Sequence, residues 1–426
     1  MDEKEFITAV VSNAQGEIFD LEGYVAVGMA GPDLFPLVRT ATLPLPHGSE
    51  LMRLPDRVPI LYDMETGNFE LVDKNPFQSD EDLFPVAAFN SPGHVVSSVC
   101  AYRERNQAEI LPLFSYGAVG WYGDGFRSAA IQVDAEPRQD LRYMKQEDVL
   151  KGVESMRHKL PGNRLRKHLE KCALEYGCPA GKNFFLGRFE APLPTAKACN
   201  AACLGCLSQQ MDTDIPCSQE RIGFTPDPEE IAGVALEHIG RVENSVVSFG
   251  QGCEGDPLLA AAVIEPAIRI IRAQTEKGTI NMNTNGGLPD VLETLLEAGL
   301  DSIRISMNSV REDAYNTYFN PRGYVFADVV RSIDLALAKG QHVAINYLNM
   351  AGFTDTAGEL AGLTAFIGDH PINMIQWRNL NFDPIQYWKV MDQDGREDAV
   401  MGMQTVLDTI QDRFPDVRHG YFNPPK

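Results

Sequence analysis

Cys199-Asn-Ala-Ala-Cys203-Leu-Gly-Cys206 packs three thiols into eight residues, a CxxxCxxC spacing. Soft sulfur donors select iron–sulfur clusters or zinc. A closed structural zinc site takes four ligands, and no fourth cysteine stands at similar spacing, so the stretch suits a [4Fe-4S] cluster with one iron left open. Zinc stays the alternative on this reading, because Cys178 or Cys217 could supply a fourth thiolate. The segment just before the triplet, Asn183-Phe-Phe-Leu-Gly-Arg-Phe-Glu190, is apolar and is expected to form a strand over 184–190.

Beyond the triplet, short apolar strands alternate with amphipathic helices, the rhythm of a parallel α/β sheet or barrel. Strands are expected near 245–250, 279–284, 301–307, 342–348 and 372–378. Helices are expected over Pro228 to Arg241, Leu258 to Thr275, Leu288 to Ala298, Val325 to Lys339 and Thr356 to Gly368. Counting the 184–190 segment, this makes six βα units without a recognisable seventh, a partial barrel of the TIM type.

The strands alternate with period two, and one face of each is polar. Ser248 and Gly250 share a face, as do Asn281, Asn283 and Asn285, then Arg304, Ser306 and Asn308. Asn346 sits between Ile345 and Tyr347, and Gln376 and Arg378 lie opposite Ile375 and Trp377. Helices cover apolar faces, so the polar faces point inward. A barrel interior is ordinarily filled by branched apolar side chains, so polar inner faces imply a cavity that holds a polar ligand.

With these elements in order, the chain resembles the radical S-adenosylmethionine (SAM) enzyme superfamily. The resemblance rests on the triplet after the first strand, Gly250-Gln-Gly-Cys-Glu-Gly-Asp-Pro-Leu-Leu259 after the second, Asn283-Thr-Asn-Gly286 at the third and Ser306-Met-Asn-Ser309 at the fourth, and covers about residues 183 to 380. It implies that Cys199, Cys203 and Cys206 ligate a [4Fe-4S] cluster whose fourth iron is chelated by the amino and carboxylate groups of SAM. It further implies that the Gly252 to Asp256 turn meets the SAM amino group, with Glu254 and Asp256 as the two candidate carboxylates. Asn283, Thr284, Ser306 and Asn308 stand where relatives contact the SAM carboxylate and ribose, and Asn346 and Arg378 serve SAM or the substrate. The implied activity is reductive cleavage of SAM to a 5'-deoxyadenosyl radical that abstracts hydrogen, with a one-electron donor such as flavodoxin or ferredoxin as partner. No residue is singled out as catalytic.

The rest of the chain divides by composition. Residues 1–145 read as a β-rich N-terminal domain, with a hairpin of Val58 to Tyr62 and Phe69 to Val72 and an aromatic, Gly-rich stretch from Phe114 to Phe126. Residues 146–182 read as a helical linker, helices over Glu147 to Lys159 and Arg164 to Tyr176 flanking Pro161-Gly162. The linker holds a basic cluster of Arg157, Lys159, Arg164, Arg166, Lys167 and Lys171, read as a solvated helix face. Residues 183–382 form the barrel, and 383–426 a C-terminal extension with a helix from Arg396 to Phe414. Cys172, Cys178 and Cys217 are candidate ligands of a second cluster; Cys253 reads as a small residue filling a tight turn; Tyr315 and Tyr318 read as packing.

At 426 residues with 44% hydrophobic content, the chain is long enough for two or more cores. A formal net charge of -22 argues against general nucleic-acid or anionic-membrane binding. Met1-Asp-Glu-Lys-Glu-Phe6 lacks a basic-then-apolar leader and no stretch is long and apolar enough to span a bilayer, so the expected location is cytoplasmic, where clustered cysteines read as metal ligands. A β-rich domain beside a partial barrel favours a peptide or protein substrate. The alternatives are small-molecule or cofactor biosynthesis, and, in another class, a non-catalytic iron–sulfur or zinc protein.

Overall fold

The computed structural model describes residues 6–210, 215–391 and 398–426. The first five residues of the N-terminal reading and the expected helix start at Arg396 lie outside them. The chain forms two compact units, one of residues 1–134, 348–364 and 377–415, the other of 135–347, 365–376 and 416–426.

The first unit is antiparallel β. Thr8–Ser12 pairs with three strands, Ile18–Val25, Phe84–Phe89 and Val119–Tyr122, and the sheet they nucleate contains ten strands. The expected hairpin is present as Arg57–Asp63 with Phe69–Leu71, in the register Ile60 to Leu71. Ala9, Val11, Leu21, Leu61 and Leu83 form one core cluster on it. In the aromatic stretch, Trp121 packs edge-on against its cross-strand partner Phe126, with ring centroids 4.8 Å apart, so these rings stabilise a hairpin. Asp383, fully buried, meets the Arg57 guanidinium at 3.3 Å, accepts the Leu111 N–H at 3.0 Å and caps the helix Pro384–Val390.

The second unit opens with three helices, α1 (Gln146–Lys159), α2 (Arg164–Leu174) and α3 (Pro179–Leu186). The third overturns the expectation of a strand over 184–190. Pro179 at the first helical position and Gly187 in the left-handed region (φ +66°) bracket Phe184 and Phe185 as a helix, and only Glu190–Pro192 (β1) is extended. Five of the six residues of the basic cluster are paired locally. Arg157 and Arg166 both meet Glu170, Arg164 meets Glu230 at 2.6 Å, Lys159 meets Glu237 at 2.5 Å and Lys171 meets Glu220 at 2.6 Å.

From β1 the chain winds α4 (Pro228–Arg241), β2 (Val246–Phe249), α5 (Ala261–Arg272), β3 (Thr279–Thr284), α6 (Pro289–Ala298), β4 (Ser302–Met307), α7 (Glu312–Phe319), α8 (Phe326–Ala338), β5 (His342–Asn349), α9 (Ala357–Asp369) and β6 (Met374–Asn379). The strands lie in sequence order in one seven-stranded sheet, a parallel half-barrel. The seventh strand, β7 (Arg418–Gly420), comes from the tail and corrects the expected count of six. Arg418-His-Gly is short and carries no apolar run, so periodicity has nothing to register there. The helix in the tail is Met403–Arg413, shorter than expected. Parallel neighbours need crossovers of this length, and helices covering the outer face bury Ile280, Met282, Ile303, Ile305, Met307, Val343 and Ile345 completely. Each such side chain contributes roughly 1.5–3 kcal/mol of transfer free energy.

His238 on α4 is fully buried, with Nε2 against the Phe189 carbonyl at 3.2 Å. Burial pushes its pKa down to about 4. A histidine with a folded pKa below its unfolded value loses stability as pH falls through the unfolded value toward the folded one. We therefore expect urea unfolding to show, between pH 6.5 and 4, a loss of about 1.4 kcal/mol per pH unit that His238→Gln removes. An identical pH slope in both proteins would refute the assignment.

Candidate active site

The cysteine loop runs over the C-terminal ends of the strands. It is pinned by the end of α7: Ala202 N–H donates to Phe319 O at 3.0 Å, Leu204 N–H to Tyr318 O at 3.0 Å, and Arg322 N–H to Asn200 O at 2.8 Å. Asn320 ends α7 in the left-handed region (φ +43°), turning the chain so that Pro321 bridges Ala201. Tyr315 and Tyr318 are buried and aromatic packing holds them, Tyr315 stacking on Phe319 at 4.5 Å with its hydroxyl 3.1 Å from that of Tyr324.

Cys199, Cys203 and Cys206 are half-exposed residues of one turn, Cys206 N–H donating to Cys203 O at 3.2 Å. Burial pushes the Cys199 thiol up to about 11, helped by Asp256, and holds Cys203 well above its ordinary value, with Cys199 and Cys206 adding to it. Clustered thiols that resist ionisation alone are the donor set in which a cation or cluster replaces the protons. Arg221 brings a positive charge to the site, its guanidinium 3.6 Å from Cys206 Sγ; a basic residue fifteen positions beyond the motif has no spacing signal to reveal it.

The turn after β2 is built on Glu254. Its Oε1 accepts the N–H groups of Gly250 and Gln251 at 2.7 and 2.8 Å, and its Oε2 those of Thr195 and Ala196 at 2.7 and 2.8 Å. One buried carboxylate thus ties the turn to the chain entering the cysteine loop; burial raises its pKa to about 7 against the pull of these four donors. Asp256 is equally committed. It accepts Leu258 N–H at 3.0 Å, the Thr284 hydroxyl at 2.8 Å and Asn285 N–H at 2.7 Å. Both carboxylates named from the sequence therefore organise backbone, and Thr284 positions Asp256.

Close approach explains the glycines. A Cβ on Gly250 (φ +79°) would fall 1.7 Å from Asn283 O, and one on Gly255 1.9 Å from Ala198 O, beside Cys199. Gly255→Ala is expected to push the cysteine loop off the turn and to reduce iron incorporation by at least half, measured after anaerobic reconstitution. Wild-type iron content would show that the contact is dispensable.

Asn283 lies next to the turn, Nδ2 donating to Gly250 O at 2.9 Å. Ser306 on β4 is the register partner of Asn346 on β5. Asn346 Oδ1 is buried with no hydrogen-bond partner among the described residues. Asn308 is fully buried and donates to Ala314 O at 3.2 Å, linking strand end to α7. Arg378 lies on β6 in the other unit. Deeper in the sheet the polar faces satisfy one another: Asn281 donates to Ser248 at 3.2 Å and Asn283 at 2.8 Å, and Ser302 to Asn281 at 2.8 Å. Asn423, from the tail, donates to Glu190 at 2.8 Å and accepts from Gln376 at 2.9 Å. The polar interior is thus largely a closed network, and the open acceptor of Asn346 lies at the strand ends.

Cys253 does more than fill a turn. Buried, it packs with His168 and Cys172, whose ligand atoms all lie within 4.8 Å of one another. Cys178 and Cys217 are not part of this group.

A parallel half-barrel with a three-cysteine loop suits an iron–sulfur centre. Residues 193–363 match the family model of the radical SAM superfamily. That family implies a [4Fe-4S] cluster and SAM as cofactors, and the trio of thiols, the glycine cradle and the unpaired Asn346 acceptor fit both. The chain is 24% identical over 227 residues to a GTP 3',8-cyclase of Chlorobaculum tepidum, covering 53% of this chain and 62% of that protein. It is 22% identical over 250 residues to Molybdenum cofactor biosynthesis protein 1 of Drosophila melanogaster, covering 58% of this chain and 40% of that one. Among solved structures, the FeFe-hydrogenase maturase HydG of Carboxydothermus hydrogenoformans overlaps with a TM-score of 0.37 at 14% identity, over 64% of this chain and 68% of that one. No described helix is long and apolar enough to cross a membrane.

Proposed function

We propose that the chain is a radical SAM enzyme that acts on a small molecule. Cys199, Cys203 and Cys206 would hold the cluster, and with no fourth thiol in the turn one iron would be left for SAM. When bound, these cofactors supply reductive cleavage of SAM and hydrogen abstraction from the substrate. The chain supplies position. With the Glu254 and Asp256 side chains taken up by backbone donors, the Gly250 to Gly255 turn meets the SAM ammonium through its peptide carbonyls, since an ammonium leaving water needs acceptors. Asn283, Ser306 and Asn346 would serve the carboxylate and ribose, with Asn308 holding the end of β4 to α7, and the partnerless Oδ1 of Asn346 would accept a ribose hydroxyl. Arg221 places positive charge beside a cluster ligand and raises its reduction potential. The electron comes from a one-electron donor of the flavodoxin or ferredoxin kind.

The observation that carries this reading is the three-thiol turn tied through Glu254 to a glycine cradle. The preference for a small molecule over a peptide rests on the curated relatives, which are GTP 3',8-cyclases and a molybdenum cofactor biosynthesis protein; the architectural argument for a peptide has no comparable support. The test is 5'-deoxyadenosine release by the reduced protein. Release that accelerates with a small-molecule pool and not with a peptide pool is expected, and acceleration by the peptide fraction alone would overturn the substrate class.

A further inference from the structure

Outside the cysteine triplet, two elements remote in sequence bring soft ligands together. His168 and Cys172 stand four residues apart on α2 and so share one face. Cys253 comes from the turn after β2. His168 Nε2 lies 3.5 Å from Cys172 Sγ and 3.5 Å from Cys253 Sγ. Cys172 and Cys253 are 2% and 6% exposed, and the His168 ring is held edge-on by Phe224 at 6.3 Å.

These distances carry chemical information. A tetrahedral zinc with Zn–N of about 2.0–2.1 Å and Zn–S of about 2.3 Å places the nitrogen and sulfur about 3.5 Å apart, the separation found for both pairs. Imidazole and thiolate are donors that select zinc over magnesium or calcium. An iron–sulfur cluster is a poor fit, because one imidazole and two thiols converge here and Cys178 and Cys217 do not join them. We infer that His168, Cys172 and Cys253 form a mononuclear zinc site, separate from the cysteine triplet, that clamps α2 to the turn carrying Glu254 and Asp256. The fourth position is left to water or another ligand, as in three-ligand zinc sites.

The consequence is mechanical. Cys253 directly precedes Glu254, whose carboxylate holds Thr195 and Ala196 at the entrance to the cysteine loop. A cation bridging Cys253 to a helix immobilises the turn on which that carboxylate depends. The inference does not rest on the radical SAM reading, since a zinc site would stand whatever the triplet binds.

The test is elemental analysis of the purified holoprotein, prepared anaerobically with zinc supplied during expression, together with zinc K-edge X-ray absorption. Expected are about one zinc per chain beside about four irons, and a zinc shell of two sulfurs near 2.3 Å with nitrogen near 2.0 Å. Cys172→Ser and His168→Gln should each lower zinc content at least tenfold while keeping the iron, which reports an intact fold. Should neither variant fold, the wild-type absorption spectrum still decides. Zinc-free wild-type protein, a shell without sulfur, unchanged zinc in both folded variants, or a Cys172–Cys253 disulfide in the anaerobic protein would each overturn the site.

Discussion

Cys203→Ala, reconstituted anaerobically with iron and sulfide, is expected to hold well under half of the wild-type iron and to release no 5'-deoxyadenosine above background. Cys203 is the middle cysteine of the turn, and its neighbours cannot compensate. Cys199 and Cys206 flank it in the same loop, and residues 199–206 hold no further cysteine. Losing an outer-shell partner of a metal ligand typically costs 10–100-fold, so losing the ligand itself should exceed about 100-fold in turnover. Comparable product from variant and wild type would remove the triplet from the chemistry.

Glu254→Gln carries the second large effect. The carboxylate is ionised in its role, because only an acceptor-only group can take four N–H donors at once. An amide replaces one oxygen with a donor, which strands two of the N–H groups of Gly250, Gln251, Thr195 and Ala196 inside a site where Glu254 is 4% exposed. Each buried donor left without a partner costs about 1–3 kcal/mol, enough to unlatch the turn from the cysteine loop. SAM affinity measured by isothermal titration on the reconstituted variant should fall at least tenfold, with iron content falling in parallel. Wild-type affinity would show that the four hydrogen bonds are incidental, and a loss of SAM binding with full iron would assign Glu254 to the ligand itself.

The parallel sheet was legible in the sequence where its physics is local. The helix at Pro228–Arg241 has its expected bounds because Pro228 stands at the first helical position and the Asp227 N–H meets Glu230 at 3.0 Å. Burial alternates with period two over 303–307 in β4 and 345–349 in β5, while β3 is buried throughout. The segment before β1 went the other way: a short apolar run is equally a helix or a strand by periodicity, and the Pro179 and Gly187 punctuation outweighs the phenylalanines. In the site, the three cysteines carry their own spacing, whereas the work of Glu254 depends on backbone at Thr195 and Ala196, nearly sixty positions away. His168 meets Cys253 across eighty-five positions and Asn423 meets Glu190 across 233. No local pattern encodes such pairings, and they are the ones that turn a cysteine motif into a built site.

The proposed cluster on Cys199, Cys203 and Cys206 would keep one iron for SAM. Electron paramagnetic resonance of the dithionite-reduced, reconstituted protein tests this most directly, with and without SAM labelled with nitrogen-15 at its amino group. SAM is expected to change the signal of the reduced cluster, with a hyperfine coupling to the labelled nitrogen. A signal indifferent to saturating SAM, with no nitrogen coupling, would contradict it.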